Sequence, residues 1–147
     1  MKKIVRVICM VLVCSLFFSI PAKAVSMAEA RESAFFAAYG TDLYKTSSTS
    51  FQICFDVIAN AGSSPQVLGV SEITLYRSAN GQNWSNIKLY IKESYPSMVA
   101  QNTSAHGGYV PYNFATAGYY YRARITFYAK NSTGIGEKDV YTEILRM

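Results

Sequence analysis

Apolar and polar side chains alternate along residues 118–131, close to the C-terminal end of the chain. One set of alternate positions holds Tyr119, Tyr121, Ala123, Ile125, Phe127 and Ala129. The other set holds Tyr120, Arg122, Arg124, Thr126, Tyr128 and Lys130. Because successive side chains of a β-strand point to opposite faces of its sheet, this pattern predicts a half-buried strand. We expect the first set to face the core and the second set to face solvent.

Other segments show the same period of two or are rich in β-forming residues. They are residues 50–59, 70–77, 86–92 and 139–147, and residues 42–46 are expected to add an edge strand. Within residues 86–92, the alternation places Ile87, Leu89 and Ile91 on the inner face and Tyr90 on the outer face. These segments predict short strands whose inner faces share one core.

Turn-forming residues separate the predicted strands. They occur at residues 60–65, at Asn80-Gly81, at His106-Gly107-Gly108 and at residues 131–136. About seven short strands with regularly spaced turns are typical of a β-sandwich. The pattern therefore predicts an all-β fold with a single sandwich domain over residues 40–147.

The first 24 residues have the layout of a secretory signal peptide. A basic head precedes an apolar run over residues 7–20, which contains no acidic residue, and the run ends at Pro21-Ala22-Lys23-Ala24. The run is shorter than the roughly 20 residues that a membrane-spanning helix needs. We predict a secreted, extracellular protein, cleaved between Ala24 and Val25, that meets the membrane only during export. An uncleaved anchor helix is the alternative.

Residues 25–39 differ in composition from the segments that follow. Ser26 and Glu29 have the spacing of a helix capping box, and residues 28–38 are rich in alanine. This predicts a short helix that ends near Gly40. The alternative is a flexible lead-in, because isolated helices of this length are marginal in water.

Removal of the signal peptide changes both the charge and the cysteine count. The full chain has 14 Lys and Arg against 9 Asp and Glu, but four of the basic residues lie within residues 1–24. The mature chain then carries 10 basic and 9 acidic residues, and this balance gives no reason to expect a nucleic-acid partner. Cys9 and Cys14 leave with the signal, so Cys54 cannot form an internal disulfide.

Several segments resemble a known kind of domain. ITLYRSANGQNW (residues 73–84) resembles the third strand and following turn of a fibronectin type III-like domain. AGYYYRARI resembles its tyrosine-corner strand, with Tyr121 in the tyrosine position and Tyr119 as the alternative. With SFQICFDV and GYYYRARITFYAKNSTGIGE, these segments are similar to a family of small secreted proteins of Gram-positive bacteria. That family is known only as a domain of unknown function.

The resemblance covers roughly residues 40–145. It implies secretion and a single sandwich of the immunoglobulin or fibronectin type III kind. It supplies no catalytic residue that can be carried over to this chain.

Catalytic and metal-binding sets are hard to assemble from this sequence. A Cys–His pair needs the two side chains in hydrogen-bond contact, whereas Cys54 is expected on the outer face of a strand and His106 in a glycine-rich loop. A serine triad would also need His106 as its base, and no Gly-x-Ser-x-Gly motif is present.

Metal and glycosidase sites are equally weak. Zinc sites usually draw four ligands from Cys and His, calcium has only Glu137 and Asp139 near one loop, and the nine acids are scattered. We therefore expect no enzyme activity, no catalytic residue, no metal and no cofactor.

The aromatic residues leave binding as the open possibility. The chain has 12 Tyr and one Trp. The predicted outer positions form a candidate face for a ligand or partner, and they are Tyr76, Tyr90, Tyr120, Arg122, Arg124 and Tyr128. The alternative is ordinary cross-strand packing, with arginine stems lying over the rings. We expect Trp84 to fill the core rather than to form an exposed platform.

Two classes of function follow from this candidate face. The first is a non-catalytic extracellular interaction domain with an unidentified protein partner. The second is a stand-alone carbohydrate-binding module that uses exposed tyrosines to hold a glycan, and a small hydrolase is a distant third. A coplanar row of exposed rings would favour the sugar, whereas scattered or covered rings would favour the interaction domain.

Overall fold

The computed structural model describes residues 34–147, which form nine strands and one turn of 3₁₀ helix. The strands are β1 (Phe36–Lys45), β2 (Phe51–Ala59), β3 (Val67–Ser78), β4 (Ser85–Ile91), β5 (Val99–Gln101), β6 (Ala105–Tyr112), β7 (Tyr120–Asn131), β8 (Gly134–Tyr141) and β9 (Leu145–Arg146). The 3₁₀ turn, Pro96–Met98, directly precedes β5.

The strands form two antiparallel sheets. One sheet has three strands in the order β1-β2-β6. The other has six strands: β4-β3-β7-β8 lie side by side, β5 pairs with β3, and β9 pairs with β7. The chain passes from one sheet to the other after β2, β5 and β6. The prediction of an all-β sandwich is confirmed, and the short strands β5 and β9 raise the number of strands from about seven to nine.

The core lies between the sheets and is built mainly by β2, β3 and β7. The alternation predicted for β7 is confirmed at Tyr121, Ala123, Ile125, Phe127 and Ala129, all fully buried. The alternation of β2 places Phe51, Ile53, Phe55 and Val57 in the same core. Each large apolar side chain of this kind stabilises the fold by about 1.5–3 kcal/mol relative to exposure.

Tyr121, the residue expected at a tyrosine corner, is fully buried in the core. Its ring packs 5.1 Å from that of Phe51 and 6.1 Å from that of Tyr112, measured between centroids. The Thr116 backbone amide donates a 2.8 Å hydrogen bond to the Tyr121 hydroxyl. Tyr119 is only half-buried and precedes β7, so the fully buried ring of this pair is that of Tyr121.

The prediction of an N-terminal helix is wrong at the end of the predicted segment, residues 36–40. Residues 36–40 belong to β1, and Phe36 is fully buried opposite Ala59 of β2. Pairing with β2 and burial of Phe36 outweigh the helix propensity of the alanines. The remainder of the predicted helix, the signal peptide and the cleavage site between Ala24 and Val25 lie outside the described residues.

The inner and outer positions predicted for β4 are wrong over its second half. The register shifts between Leu75, opposite Lys88, and Tyr76, opposite Asn86, so Ile87 has no direct partner on β3. This bulge at an edge strand reverses the later alternation. Tyr90 is therefore buried, whereas Leu89 and Ile91 are 50% and 36% exposed.

His106, Gly107 and Gly108, predicted to form a turn, lie in β6. Gly107 pairs with Asp56 and Gly108 with Phe55 of β2. A Cβ at Gly108 would lie 3.1 Å from the Phe55 ring, so this glycine makes room for a core aromatic. The backbone approach that needs glycine here is thus between strands rather than within a turn.

The C-terminal hairpin is tighter than the predicted turn at residues 131–136. Only Ser132 and Thr133 connect β7 to β8, and the Asn131 side-chain oxygen accepts hydrogen bonds from the Thr133 and Gly134 amides. The last predicted strand, residues 139–147, is correspondingly divided between β8 and β9. This places Tyr141 at the end of β8.

Candidate binding face

Some of the six residues of the predicted face lie together on one surface, whereas others are buried. Tyr76, Arg122 and Arg124 lie together on the outer surface of the six-stranded sheet, because Tyr76 is opposite Arg122 and Thr74 is opposite Arg124 across β3 and β7. Tyr120 shares this surface at the start of β7. Tyr90 and Tyr128 are buried and cannot contribute exposed rings.

Tyr90 is a core residue, so its place in the predicted face is wrong. It is 2% exposed, and its hydroxyl donates a 3.1 Å hydrogen bond to the Pro111 carbonyl on the opposite sheet. Its ring meets that of Tyr95 edge-on at 5.1 Å. Burial, followed by the neighbouring Tyr95 and Tyr112 hydroxyls, raises the pKa of Tyr90. The β4 bulge is the cause of this inward orientation.

Tyr128 likewise does not present an exposed ring on the predicted face. It is only 8% exposed, and the Lys92 ammonium lies 4.9 Å from the centroid of its ring. Lys92 in turn pairs with Glu93 at 2.9 Å. The alternation of β7 is unbroken at Tyr128, but the lysine that covers the ring comes from a distant segment that strand periodicity does not reveal.

A cluster of three aromatic rings surrounds Arg122 on the outer surface. The guanidinium carbon of Arg122 lies 4.3 Å from the ring centroid of Trp84, 5.1 Å from that of Tyr141 and 5.8 Å from that of Tyr76. We call these four residues the arginine–aromatic cluster. Cation–π contacts of this kind each contribute about 0.5–1 kcal/mol at exposed sites and hold the guanidinium in place.

Two members of the cluster were not expected there. Trp84 is half-buried against Arg122 instead of filling the core, so that prediction is wrong. The short turn after Ser78, where the Asn80 side chain caps the Gln82 and Asn83 amides, brings Trp84 to the outer surface. Tyr141 was missed, although alternation from the inward Val140 would have placed it outside.

Arg124, one step along β7 from the cluster, is neutralised by acids. Its Nη2 donates to Glu72 Oε1 at 2.8 Å, and its Nη1 lies 4.0 Å from Asp139 Oδ2. The Thr126 hydroxyl donates to Asp139 at 2.6 Å. The hydrogen bond to Glu72 is the main cause that raises the pKa of Arg124. Asp139, considered above as a weak calcium ligand, is therefore engaged by an arginine.

Arg122 differs from Arg124 because it has no such partners. Within residues 34–147, Arg122 makes no ion pair. Its buried Nε donates no hydrogen bond, which is also true of the Nε of Arg124, but Arg124 has carboxylate partners for its terminal nitrogens. Its positive charge is thus packed among rings without a neighbouring carboxylate. Buried polar atoms usually have a partner, so an unsatisfied donor in an ordered site calls for an explanation.

Two more arginines stack on tyrosines near the same end of the sheet. Arg146 lies 5.4 Å from the ring centroid of Tyr120, on the outer surface. Arg77 lies 4.8 Å from the ring centroid of Tyr119 and points to the opposite side of the sheet from Tyr76. Arg77 and Tyr119 also line a cleft of about 300 Å³ together with Asn80.

Cys54 and His106 are not brought together. Cys54 is half-buried opposite Tyr109, whereas His106 is opposite the buried Val57, on the other face of the small sheet. His106 Nε2 is 3.0 Å from the Ser97 carbonyl oxygen. Burial and then the Asp42 carboxylate raise the pKa of Cys54, which lowers its nucleophilicity.

In residues 34–147, no three side chains of His, Cys, Asp or Glu converge closely enough to ligate a metal. None of the helical segments in this range combines the length and apolar character needed to cross a bilayer.

Comparison with protein-family models and with curated proteins gives no relative for this chain. No protein-family model matches it, and a search of curated proteins finds no significantly similar sequence. The resemblance to a secreted Gram-positive family therefore stays a prediction.

Proposed function

We propose that this protein is a non-catalytic extracellular binding domain that contacts a protein partner through the outer surface of its six-stranded sheet. The observation that carries the proposal is the arginine–aromatic cluster. Tyr, Trp and Arg are the residues that most often dominate binding energy at protein interfaces. Here one Trp, two Tyr and one Arg are gathered at one half-exposed place.

Secretion and an immunoglobulin or fibronectin type III-like kinship are part of the same proposal. The basic head, the apolar run and the Ala22-Lys23-Ala24 pattern support export. The tyrosine corner at Tyr121 and the division into a three-stranded and a larger sheet support the kinship. Intact-mass analysis of exported protein should give a chain that begins at Val25, and a mass that still includes residues 1–24 would contradict this.

The arrangement of the rings favours a protein over a glycan as the partner. The Tyr76 and Tyr141 rings are 6.4 Å apart and inclined at 40°, and Arg122 packs against both. They do not form a coplanar row on which a sugar chain lies flat. Of the other tyrosines of the predicted face, Tyr90 and Tyr128 are buried, and Tyr120 is half-buried beneath Arg146.

Site-specific photo-crosslinking tests the proposal. A photoreactive amino acid replaces Tyr141, which is 53% exposed on the proposed face, in protein exported by its natural producer. The matched control places it at Ile58, which is 48% exposed on the other sheet. We expect a discrete protein adduct from position 141 alone. Equal adducts from both positions, no adduct at all, or an adduct with glycan only would overturn the proposal.

A further inference from the structure

The charge of Arg122 is the least explained feature of the proposed face. Beside it, the positive charge of Arg124 is balanced by the carboxylates of Glu72 and Asp139. Among the described residues, Arg122 has no such acidic partner. The three surrounding rings cannot accept its N–H groups as a carboxylate oxygen does. They restrain the side chain, so little rotamer freedom remains to be lost when a ligand binds.

We propose that Arg122 is a carboxylate receptor, and that the arginine–aromatic cluster takes an Asp or Glu side chain of an acidic partner protein. This inference rests on the proposed function of the face and specifies the chemistry of the partner. A planar guanidinium presents paired N–H donors that match the two oxygens of a carboxylate. The aromatic rings shield part of the guanidinium from water, which strengthens that contact.

Charge complementarity favours a carboxylate over a phosphate group. A phosphomonoester carries nearly two negative charges at neutral pH and is normally held by several converging cations. Within the described part of the chain, Arg122 is the one free cation of the cluster, because the adjacent Arg124 is already paired with Glu72 and Asp139, and Arg146 stacks on the Tyr120 ring instead. A singly charged side chain matches this balance, whereas a doubly charged group would remain partly uncompensated.

The surroundings of the cluster favour a side chain carried by a protein. Leu89 is opposite Thr74 and Ile91 is opposite Glu72, so both lie on the same outer surface as the cluster. They are 50% and 36% exposed, and Tyr141 is 53% exposed. An interface with apolar contacts beside a central arginine anchor is the usual composition of a protein-binding patch.

Trp84 supplies a direct reporter for the test, because it is the only tryptophan of the chain and contacts Arg122. The experiment titrates the exported protein with a synthetic poly-glutamate peptide and follows Trp84 emission. We expect a saturable change that weakens as the salt concentration rises. Arg122→Gln should raise the Kd about tenfold or more, as expected for loss of an interface anchor.

Two variants and two further ligands make the result specific. Arg77→Gln is the matched control, because Arg77 also stacks on a tyrosine but points to the other side of the sheet; its Kd should stay within about twofold of wild type. Arg122→Lys keeps the charge without the planar fork and should bind more weakly than wild type. Poly-lysine and inorganic phosphate should give no saturable change.

The proposal is overturned if poly-glutamate gives no saturable signal, if Arg122→Gln binds as wild type does, or if phosphate binds more tightly than the peptide. A thermal melt of each variant shows whether it is folded. If Arg122→Gln does not fold, the Kd of Arg122→Lys tests the proposal in its place, and binding as tight as that of wild type would overturn it. Failure of this titration with a positive crosslink at position 141 rejects the carboxylate receptor alone. Failure of both experiments rejects the proposed function as well.

Discussion

At the scale of single residues, strand alternation locates a side chain well when its strand is paired on both sides. Tyr121 was found because β7 is flanked by β3 and β8–β9 and buries every second residue. Trp84 and Tyr128 were misplaced because their surroundings come from other segments, namely the stacked Arg122 and the covering Lys92. Alternation gives the face of a sheet, whereas contacts between distant segments decide exposure.

Substitutions at Tyr121 and Tyr120 test this alternation directly. Tyr121→Ala removes a fully buried ring and the hydroxyl bonded by Thr116, and should lower the free energy of unfolding by about 3–5 kcal/mol. Tyr121→Phe removes the hydrogen bond alone and should cost about 1 kcal/mol. Tyr120→Ala loses a half-buried ring stacked under Arg146 and should cost within about 1 kcal/mol.

Urea unfolding of the three variants gives these differences. Equal losses for Tyr121→Ala and Tyr120→Ala would show that the register of β7 is wrong. A larger loss at Tyr120 would mean that the strand is turned over, with Arg122 and Arg124 then facing the core.

At the scale of elements, the central strands were predicted more accurately than those at the edges. β2 and β7 bury one full face each, so their sequences carry a regular pattern. The register of β3 against β7 shifts between Val70 and Glu72, and the alternation predicted for β3 holds over the residues after this shift. β4 is an edge strand whose bulge reverses its pattern, and β6 contains two glycines that are otherwise typical of turns. The arginine–aromatic cluster joins residues from β3, β7, β8 and the turn before β4, and no local pattern indicates that they meet.

Gly69 is an element-scale constraint, because it sets how closely β3 and β5 approach. It has a φ of +151°, and a Cβ there would lie 2.2 Å from the Met98 carbonyl oxygen and 2.7 Å from Val99 Cα. Gly134 has a similar φ of +158°, but a Cβ there meets nothing within 4 Å. The two glycines therefore share a positive φ, but only at Gly69 would an added Cβ collide with neighbouring backbone atoms.

Alanine at each glycine separates these two contributions. Gly134→Ala should cost about 1–2 kcal/mol, which is the strain of a positive φ alone. Gly69→Ala should cost at least about 2 kcal/mol more, because the colliding atoms are backbone and cannot rotate away. Chemical denaturation measures both, and amide exchange should show loss of protection in β5 only for Gly69→Ala. Similar costs for the two variants would mean that β5 moves aside freely.

At the scale of the whole molecule, the amino-acid sequence indicates the sandwich because hydrophobic burial acts on every strand. It does not identify the partner, because binding depends on a few contacts that contribute little to the core. Cys54 is the only cysteine among the described residues, so the sandwich is held by packing and hydrogen bonds. We expect the free energy of unfolding of the sandwich to fall under any condition that favours ionisation of its buried groups.

Alkaline pH is such a condition. Burial raises the pKa of Cys54 above its ordinary value of 9.0, and burial also raises the pKa values of Tyr90 and Tyr112 above 10.0. In the unfolded chain these groups lose their protons near the ordinary values, whereas the folded chain retains them. The unfolded state then binds fewer protons, so the free energy of unfolding falls as pH rises.

We expect full stability below pH 9.0, a first decline as Cys54 would ionise on unfolding, and a steeper one above pH 10.0 from the tyrosines. A proton that the folded chain keeps completely and the unfolded chain loses completely contributes a slope of about 1.4 kcal/mol per pH unit, and the partly exposed Cys54 and Tyr112 contribute less than this. Tyr90→Phe loses the bond to Pro111, so it should be less stable near neutral pH yet lose less stability above pH 10.0. Urea unfolding across this pH range measures both effects. An identical alkaline slope in wild type and Tyr90→Phe would show that Tyr90 ionises as readily in the folded chain as in the unfolded one, and that its burial opposite Pro111 is not maintained in solution.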